Sequence, residues 1–449
     1  MQTPQTVGCQ QLYAKLHTMA DPPKAEVAPT LTPTGYRPRV ADAAVSDALA
    51  AMPAIVIEGP KGCGKTWTGR NFARSEVLLD QDVSARESVA IAPGLILEGE
   101  EPRLLDEWQL AGELWNQVRH ASDQGHGNGR FILTGSATPP DDITRHSGAG
   151  RIARVRLRPM SLFEVGESTG EISLRGLLAG DKVAAQQPPA TVQDIIEATC
   201  RGGWPRLLDQ SFRASQLFLR NYLGELCRTD ISAVDGVTRD PAGVQRLLAA
   251  IGRNIATMAS YSRLASEAAG DRGLHRTTAT EYIRSLERLF VVEDVPHWST
   301  HLRSRATLRS TPKRHFVDPS LAVTAIGASP ERLLADLPAF GFFFESLVVR
   351  DLRIYGQQSD AEIFHYRDDD NLEVDAIVQA RDGRWIGAEI KLGGQRGIDE
   401  AARSLLKLRN KVNTDRVGEP SKLLIITATG YAFDRPDGTT VLPITALGP

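Results

Sequence analysis

The stretch Ile55-Val-Ile-Glu-Gly59-Pro-Lys-Gly-Cys-Gly64-Lys65-Thr66 constrains this chain more than any other. Three apolar residues lead into a glycine-rich turn that closes on Gly-Lys-Thr, where a helix is expected to start. Gly59 and Gly64, followed by Lys65 and Thr66, fit the phosphate-loop pattern G-x-x-x-x-G-K-[ST]. Gly59, Gly62 and Gly64 permit backbone angles and close approach that a side chain would forbid, so successive N–H groups can wrap a polyphosphate. The positive end of the following helix faces the same anion. Lys65 is expected at the β- and γ-phosphates and the Thr66 hydroxyl on Mg²⁺, with Pro60, Lys61, Cys63 and Trp67 completing an ATP-binding loop. The bland alternative is a chance glycine-rich loop, which the strand before and the helix after argue against.

At 449 residues the chain is too long for one core and suggests about three domains. Apolar residues at 41% and charged residues at 24% are ordinary for soluble globular proteins. A net charge of −3 excludes wholesale polyanion binding, so any nucleic-acid contact must come from a local patch. Cys9, Cys63, Cys200 and Cys227 are scattered without zinc spacing, and a disulfide at Cys63 would disrupt the loop. Reduced thiols and a cytoplasmic setting are expected. No run approaches the roughly 20 apolar residues that span a bilayer, and the start of the chain does not read as a signal peptide.

Downstream, Arg103-Leu-Leu-Asp106-Glu107 is a short strand ending in two acids, about 40 residues after Lys65. Asp106 is the candidate Mg²⁺ ligand and Glu107 the candidate base that polarises water. A solvated acidic pair is the alternative. Phe131-Ile-Leu-Thr134-Gly-Ser136 is a second strand ending in small polar residues, and Thr134 or Ser136 would reach between metal and γ-phosphate. Four strands interleaved with helices imply a doubly wound parallel α/β sheet with the ligand beyond its carboxyl ends. Residues 154–158 alternate as a strand with a basic face, and Arg151 after a glycine is a candidate for stabilising γ-phosphate charge, in cis or from a neighbouring copy. A solvated basic face is the plain alternative.

The organisation expected is a flexible lead-in over 1–38, a P-loop core over 39–160, and a helical lid over 161–238. A winged-helix-like unit over 239–318 and an α/β nuclease-like unit over 319–449 follow. Three helical patterns and Val291-Val-Glu-Asp-Val suggest the winged helix, with Thr277–Phe290 in the recognition position. Arg303, Arg305, Arg309, Lys313 and Arg314 form a candidate DNA-phosphate patch over 303–314. A packing or protein-contact role is the alternative. In the last segment Glu345 sits on an apolar helix, Asp375 on a strand, and Glu389-Ile-Lys391 about 14 residues farther on across a hairpin. Three carboxylates (Glu345, Asp375, Glu389) would hold Mg²⁺, and Lys391 would orient or deprotonate a bound water. Taken singly, Glu-x-Lys is more often a strand's wet face.

Together these residues resemble a bacterial and archaeal family of AAA-type P-loop ATPases that end in a domain of unknown function similar to PD-(D/E)XK nucleases. The shared features are the phosphate loop, Asp106-Glu-x-Gln109, the Leu-Thr-Gly-Ser strand end, the arginine-rich stretch from Gly150, and Gly202-Gly-Trp-Pro. The helix with Tyr222 and Asp230, and the set Glu345, Asp375, Glu389 and Lys391, complete them. The resemblance implies ATP binding and hydrolysis with a link to DNA or to defence and toxin–antitoxin systems. It also leaves room for a homo-oligomer. Trp108 and Trp67 depart from it without removing a ligand. A nucleotide-sensing regulator with an inactive nuclease fold, or a partner-binding scaffold, is the competing reading.

Overall fold

The computed structural model describes residues 30–125, 127–137, 147–184, 190–270, 273–299 and 311–449. Its first layer is a five-stranded, all-parallel sheet in the order β2-β3-β4-β1-β5. The strands are β1 (Ala54–Glu58), β2 (Ser75–Leu78), β3 (Arg103–Asp106), β4 (Phe131–Gly135) and β5 (Ile152–Arg156). In β1 every residue is buried, because helices cover both faces of a parallel sheet. Ala54 and Val56 point into one apolar cluster with Trp108 and Trp115, while Ile55 and Ile57 pack on the other side against α1 (Ala41–Ala51). Strand β4 lies between β1 and β3, so the acidic strand end stands one strand away from the phosphate loop.

Residues 30–38, expected in the lead-in, run largely exposed along the surface but are anchored to the ATPase core. The Leu31 N–H bonds the Ala73 carbonyl at 2.8 Å, and the Tyr36 hydroxyl donates to Asp42 at 2.7 Å. The remainder of that expectation, residues 1–29, lies outside the described residues.

The lid helices start on recognisable caps. Thr191 and Asp194 form a reciprocal capping box at Val192–Arg201, and Ser211 caps Phe212–Glu225. Asp240 followed by Pro241 opens Pro241–Arg253. Helices Tyr261–Glu267 and Arg276–Arg288 follow. Where a strand is expected from Val291, the backbone pairs antiparallel with residues 313–317, Val291 bonding Val317, Glu293 bonding His315 and Val295 exchanging two bonds with Lys313, as short bridges and not a regular strand. One continuous apolar core joins the lid, these middle helices and the C-terminal unit.

The proposed basic patch is corrected by depth. Lys313 and Arg314 are 1% and 3% exposed, Arg314 is paired with Asp294, and Lys313 with acids described below. Buried cations already paired cannot meet phosphates. Arg303, Arg305 and Arg309 lie outside the described residues.

The short β6 (Ile172–Ser173) pairs in parallel with Leu447–Gly448, and the C-terminal unit is a six-stranded mixed sheet in the order β11-β12-β10-β9-β8-β7. Strands β7 (Ala361–Arg367), β8 (Glu373–Ala380) and β9 (Trp385–Lys391) are antiparallel neighbours, and β10 (Lys422–Thr427) runs parallel to β9. Strand β12 (Thr440–Pro443) and the short β11 (Phe433–Asp434) complete it. Long helix Leu337–Gly356 covers one face through Phe344, Leu347 and Val348, and Gln395–Lys411 covers the other through Leu405 and Leu408.

Candidate functional site

The first site forms where β1 ends. Gly59 has no room for a side chain, since a Cβ would stand 2.0 Å from the Leu157 carbonyl oxygen. Gly62 and Gly64 adopt positive φ (76° and 105°), which turns the loop into helix Lys65–Phe72 (α2). Lys65 is buried, and its ammonium donates to the Pro60 carbonyl at 2.9 Å, closing the loop on itself. Cys63 is buried with Sγ against the Leu157 carbonyl. Beneath the helix start, the Thr66 hydroxyl donates to Asp106 Oδ1 at 2.9 Å, and the Thr134 hydroxyl donates to the same oxygen. Burial pushes the Asp106 carboxyl upward, opposed by these two hydroxyls.

Glu107 has a left-handed backbone (φ 54°, ψ 45°). Its carboxylate accepts from Ser136 Oγ at 2.9 Å and from the Gln109 amide, while its N–H bonds Thr134 Oγ1 at 3.3 Å. Its side chain thus has a fixed aim at the mouth of the loop. Trp108 is buried in the layer below, 5.0 Å centroid to centroid from Trp115, so its bulk is absorbed away from the ligand side. Trp67 is half-exposed and lines the cleft.

The cleft above the loop has a volume of about 870 Å³ and is walled by three regions the sequence does not connect. Tyr36 and Arg37 come from the N-terminal segment, Glu107 and Gln109 from the end of β3, and Arg206, Asp209 and Asp230 from the lid. Lys61 pairs with Asp230 at 2.6 Å, and Arg37 with Asp209 at 2.9 Å, tying loop and entry segment to the lid. Trp204 is fully buried against Tyr222 and lies 3.9 Å from where a Gly62 Cβ would stand. Sequence reading flagged Gly202-Gly-Trp204-Pro but gave no chemistry to Arg206, and it set Tyr36 and Arg37 aside in the lead-in. The only local signal for Arg206 was its place directly after that motif.

Arg151 lies elsewhere. It precedes β5, whose register sets Ile152 opposite Ala54 and Arg156 opposite Glu58. The phosphate loop follows Glu58, so Arg151 stands at the far edge of the sheet, where its guanidinium bonds Asp123 at 2.8 Å. A role in cis at the γ-phosphate has no geometry.

The residues present fit magnesium at the phosphate loop. The Thr66 hydroxyl and the Asp106 carboxylate are adjacent hard oxygen donors at its edge.

The second site lies under helix Leu337–Gly356 and does bring Glu345, Asp375, Glu389 and Lys391 together. Lys391 Nζ sits 3.0 Å from Asp375 Oδ2 and 2.6 Å from Glu389 Oε2. Lys313 joins them: its Nζ lies 2.8 Å from Glu345, 2.9 Å from Glu373 and 3.4 Å from Asp375. Burial pushes Glu345 and Glu389 up to about 8. Burial would raise Asp375 as well, but the two ammonium groups hold it well below the ordinary carboxylate range. Both lysines are raised: burial opposes their charge, and the acids around them prevail. The carboxylates therefore converge on ammonium groups. Among the described residues no group of three His, Cys, Asp or Glu is arranged to hold a metal ion, and the expected Mg²⁺ does not fit here.

Residues 51–166 match the family described as AAA domain. Residues 192–332 and 340–447 match two families described as Domain of unknown function, DUF8612 and DUF4143. No curated protein matches this chain. Among solved structures, the Walker-type ATPase PABY2304 of Pyrococcus abyssi is 12% identical, covering 67% of this chain and 99% of its own, at a TM-score of 0.40. DnaA from Aquifex aeolicus, bound to AMPPCP, is 15% identical over 55% of this chain and 86% of its own, at 0.26. The Thermotoga maritima RuvB Holliday junction branch migration motor is 16% identical over 57% and 89%, also at 0.26. TM-scores this low add nothing to what the residues establish. The phosphate loop, the strand order and the family match agree on one point: residues 51–166 are an AAA-type P-loop ATPase domain.

Proposed function

We propose that this protein binds ATP with Mg²⁺ in the cleft between the phosphate loop and the lid, hydrolyses it, and transmits the change to its C-terminal unit. The observation that carries the proposal is the hydrogen-bonded chain Thr66–Asp106–Thr134 at the loop's edge, with Glu107 held one residue farther on by Ser136 and Gln109.

Lys65 would exchange its Pro60 carbonyl for the β- and γ-phosphate oxygens, a charge-assisted bond in place of a neutral one. Thr66 and Asp106 would hold the metal, which when bound offsets charge on the phosphate oxygens. Glu107 would orient the attacking water and accept its proton, with Ser136 and Gln109 keeping the carboxylate aimed. Arg206 adds positive charge on the lid side.

Transmission has a physical route. Arg39, fully buried, donates to the Cys63 carbonyl inside the loop at 2.9 Å and to Glu164 at 3.0 Å. The Leu162 N–H donates to Asp351, and the Gly203 N–H beside Trp204 donates to Asp318, both at 3.0 Å. Arg350 bridges Asp318 and Asp351 on the same long helix that carries Glu345. A shift of the loop or lid on nucleotide binding would thus load that helix directly.

The test is Glu107→Gln. ATP turnover is expected to fall about 10²- to 10⁴-fold while ATP affinity holds, because the amide cannot accept the water's proton. Unchanged turnover would remove Glu107 from the mechanism. For the C-terminal unit, the competing reading of a nucleotide-sensing regulator with an inactive nuclease fold is favoured by one observation, the Lys313 ammonium among the acids.

A further inference from the structure

We propose that Lys313 is the resident cation of the C-terminal acidic cluster. Its ammonium takes the place a divalent metal would need and turns the cluster into a fastener between the middle segment and the C-terminal sheet. The inference concerns this second site and stands whether or not the phosphate loop turns over ATP.

Three features carry it. An ammonium has three N–H donors, and Lys313 Nζ has three carboxylates around it, from Glu345, Glu373 and Asp375, at 2.8, 2.9 and 3.4 Å. Two more of the cluster's oxygens are engaged: Asp375 Oδ2 accepts from the Ile390 N–H at 2.9 Å and from Lys391 at 3.0 Å, and Glu389 Oε2 accepts from Lys391 at 2.6 Å. A hard cation, whatever share of its shell water fills, must bring carboxylate oxygens to within about 2.0 to 2.6 Å, and here it would have to share them with two ammonium groups.

The position of Lys313 is also fixed by its backbone. Its N–H and C=O pair with Val295 at 3.0 and 2.9 Å. Its neighbours are anchored too, Arg314 on Asp294 and His315 Nδ1 on Ser346 Oγ at 3.1 Å. Lys391, by contrast, is one-third exposed and reaches the cluster from its rim. Helix Leu337–Gly356, strand β8 and the segment around Lys313 meet at one buried nitrogen.

The experiment is a manganese titration of the full chain without nucleotide, followed by electron paramagnetic resonance, on wild type, Asp375→Asn, Lys313→Met and the double variant. Wild type and Asp375→Asn are expected to be indistinguishable. Lys313→Met should gain one Mn²⁺ site, at least about tenfold tighter than any in wild type, which the double variant loses. A wild-type site that disappears in Asp375→Asn would overturn the proposal, as would a folded Lys313→Met that gains nothing. Where Lys313→Met does not fold, the comparison of wild type with Asp375→Asn decides alone.

Discussion

Glu107 occupies a backbone region that costs a non-glycine residue of order 1 kcal/mol, and it keeps that conformation because three side chains hold it there. Strain held by a surrounding network belongs to positions with a task, and this one sits at the mouth of the phosphate loop. The shape of the loop and the strand end at Asp106 and Glu107 were legible in the sequence because both are built from consecutive residues. Lys313 was misread for the opposite reason. A run of basic residues looks alike whether it faces water or a cluster of carboxylates, and only the Val295 bridge decides which. Arg206 and Arg37 were missed because the cleft that unites them closes across distant segments.

A pH prediction also belongs at this scale. His365 is buried edge-on to His297, at 5.5 Å between ring centroids. Burial first, then Lys313 and His297, push its pKa down to about 3. The unfolded imidazole titrates near 6.5, so between about 3 and 6.5 the unfolded chain binds the extra proton. The stabilising contribution is complete above about 6.5 and is lost as pH falls toward 3. Near pH 5 the loss is about 2 kcal/mol. Thermal unfolding of wild type and His365→Gln across that window should show the variant losing less stability on acidification. Parallel curves would exclude His365 as the source.

Among the elements, helix Leu337–Gly356 carries the most. It covers the C-terminal sheet, presents Glu345 to the acidic cluster, and holds Arg350 between Asp318 and Asp351 in full burial. Its apolar run was legible as a core helix with one acid. Its second role was not, because Arg350 and Asp351 read as ordinary helix charges until Asp318, Gly203 and Leu162 close around them. Removing one partner of a buried pair leaves an uncompensated charge, so Asp318→Ala is expected to cost about 3 to 5 kcal/mol. Denaturant titration would measure this, and a loss below about 1 kcal/mol would mean the pair acts like a surface ion pair. The middle helices were anticipated in place and order. The strand after them is present only as a short irregular pairing of residues 291–295 with 313–317.

For the whole molecule, strand and helix patterns pointed to two sheets with helices between them, but not to how little separates the later units. One apolar core runs from Leu162 and Trp204 through the middle helices to Leu447. Apolar patterning shows which face of an element is buried and is silent on which neighbour buries it. Under the proposed function, a nucleotide bound at one end would bear on the other through that continuity, by way of Arg39, Trp204 and the Arg350 pair. All of it presupposes that the loop at residues 59–66 grips a polyphosphate. Calorimetric titration of ATP with magnesium into wild type and Lys65→Ala tests this most directly. Saturable one-to-one binding by wild type, weakened at least about tenfold in Lys65→Ala, is the predicted result; equal affinity in the two proteins, or no binding by wild type, would contradict it.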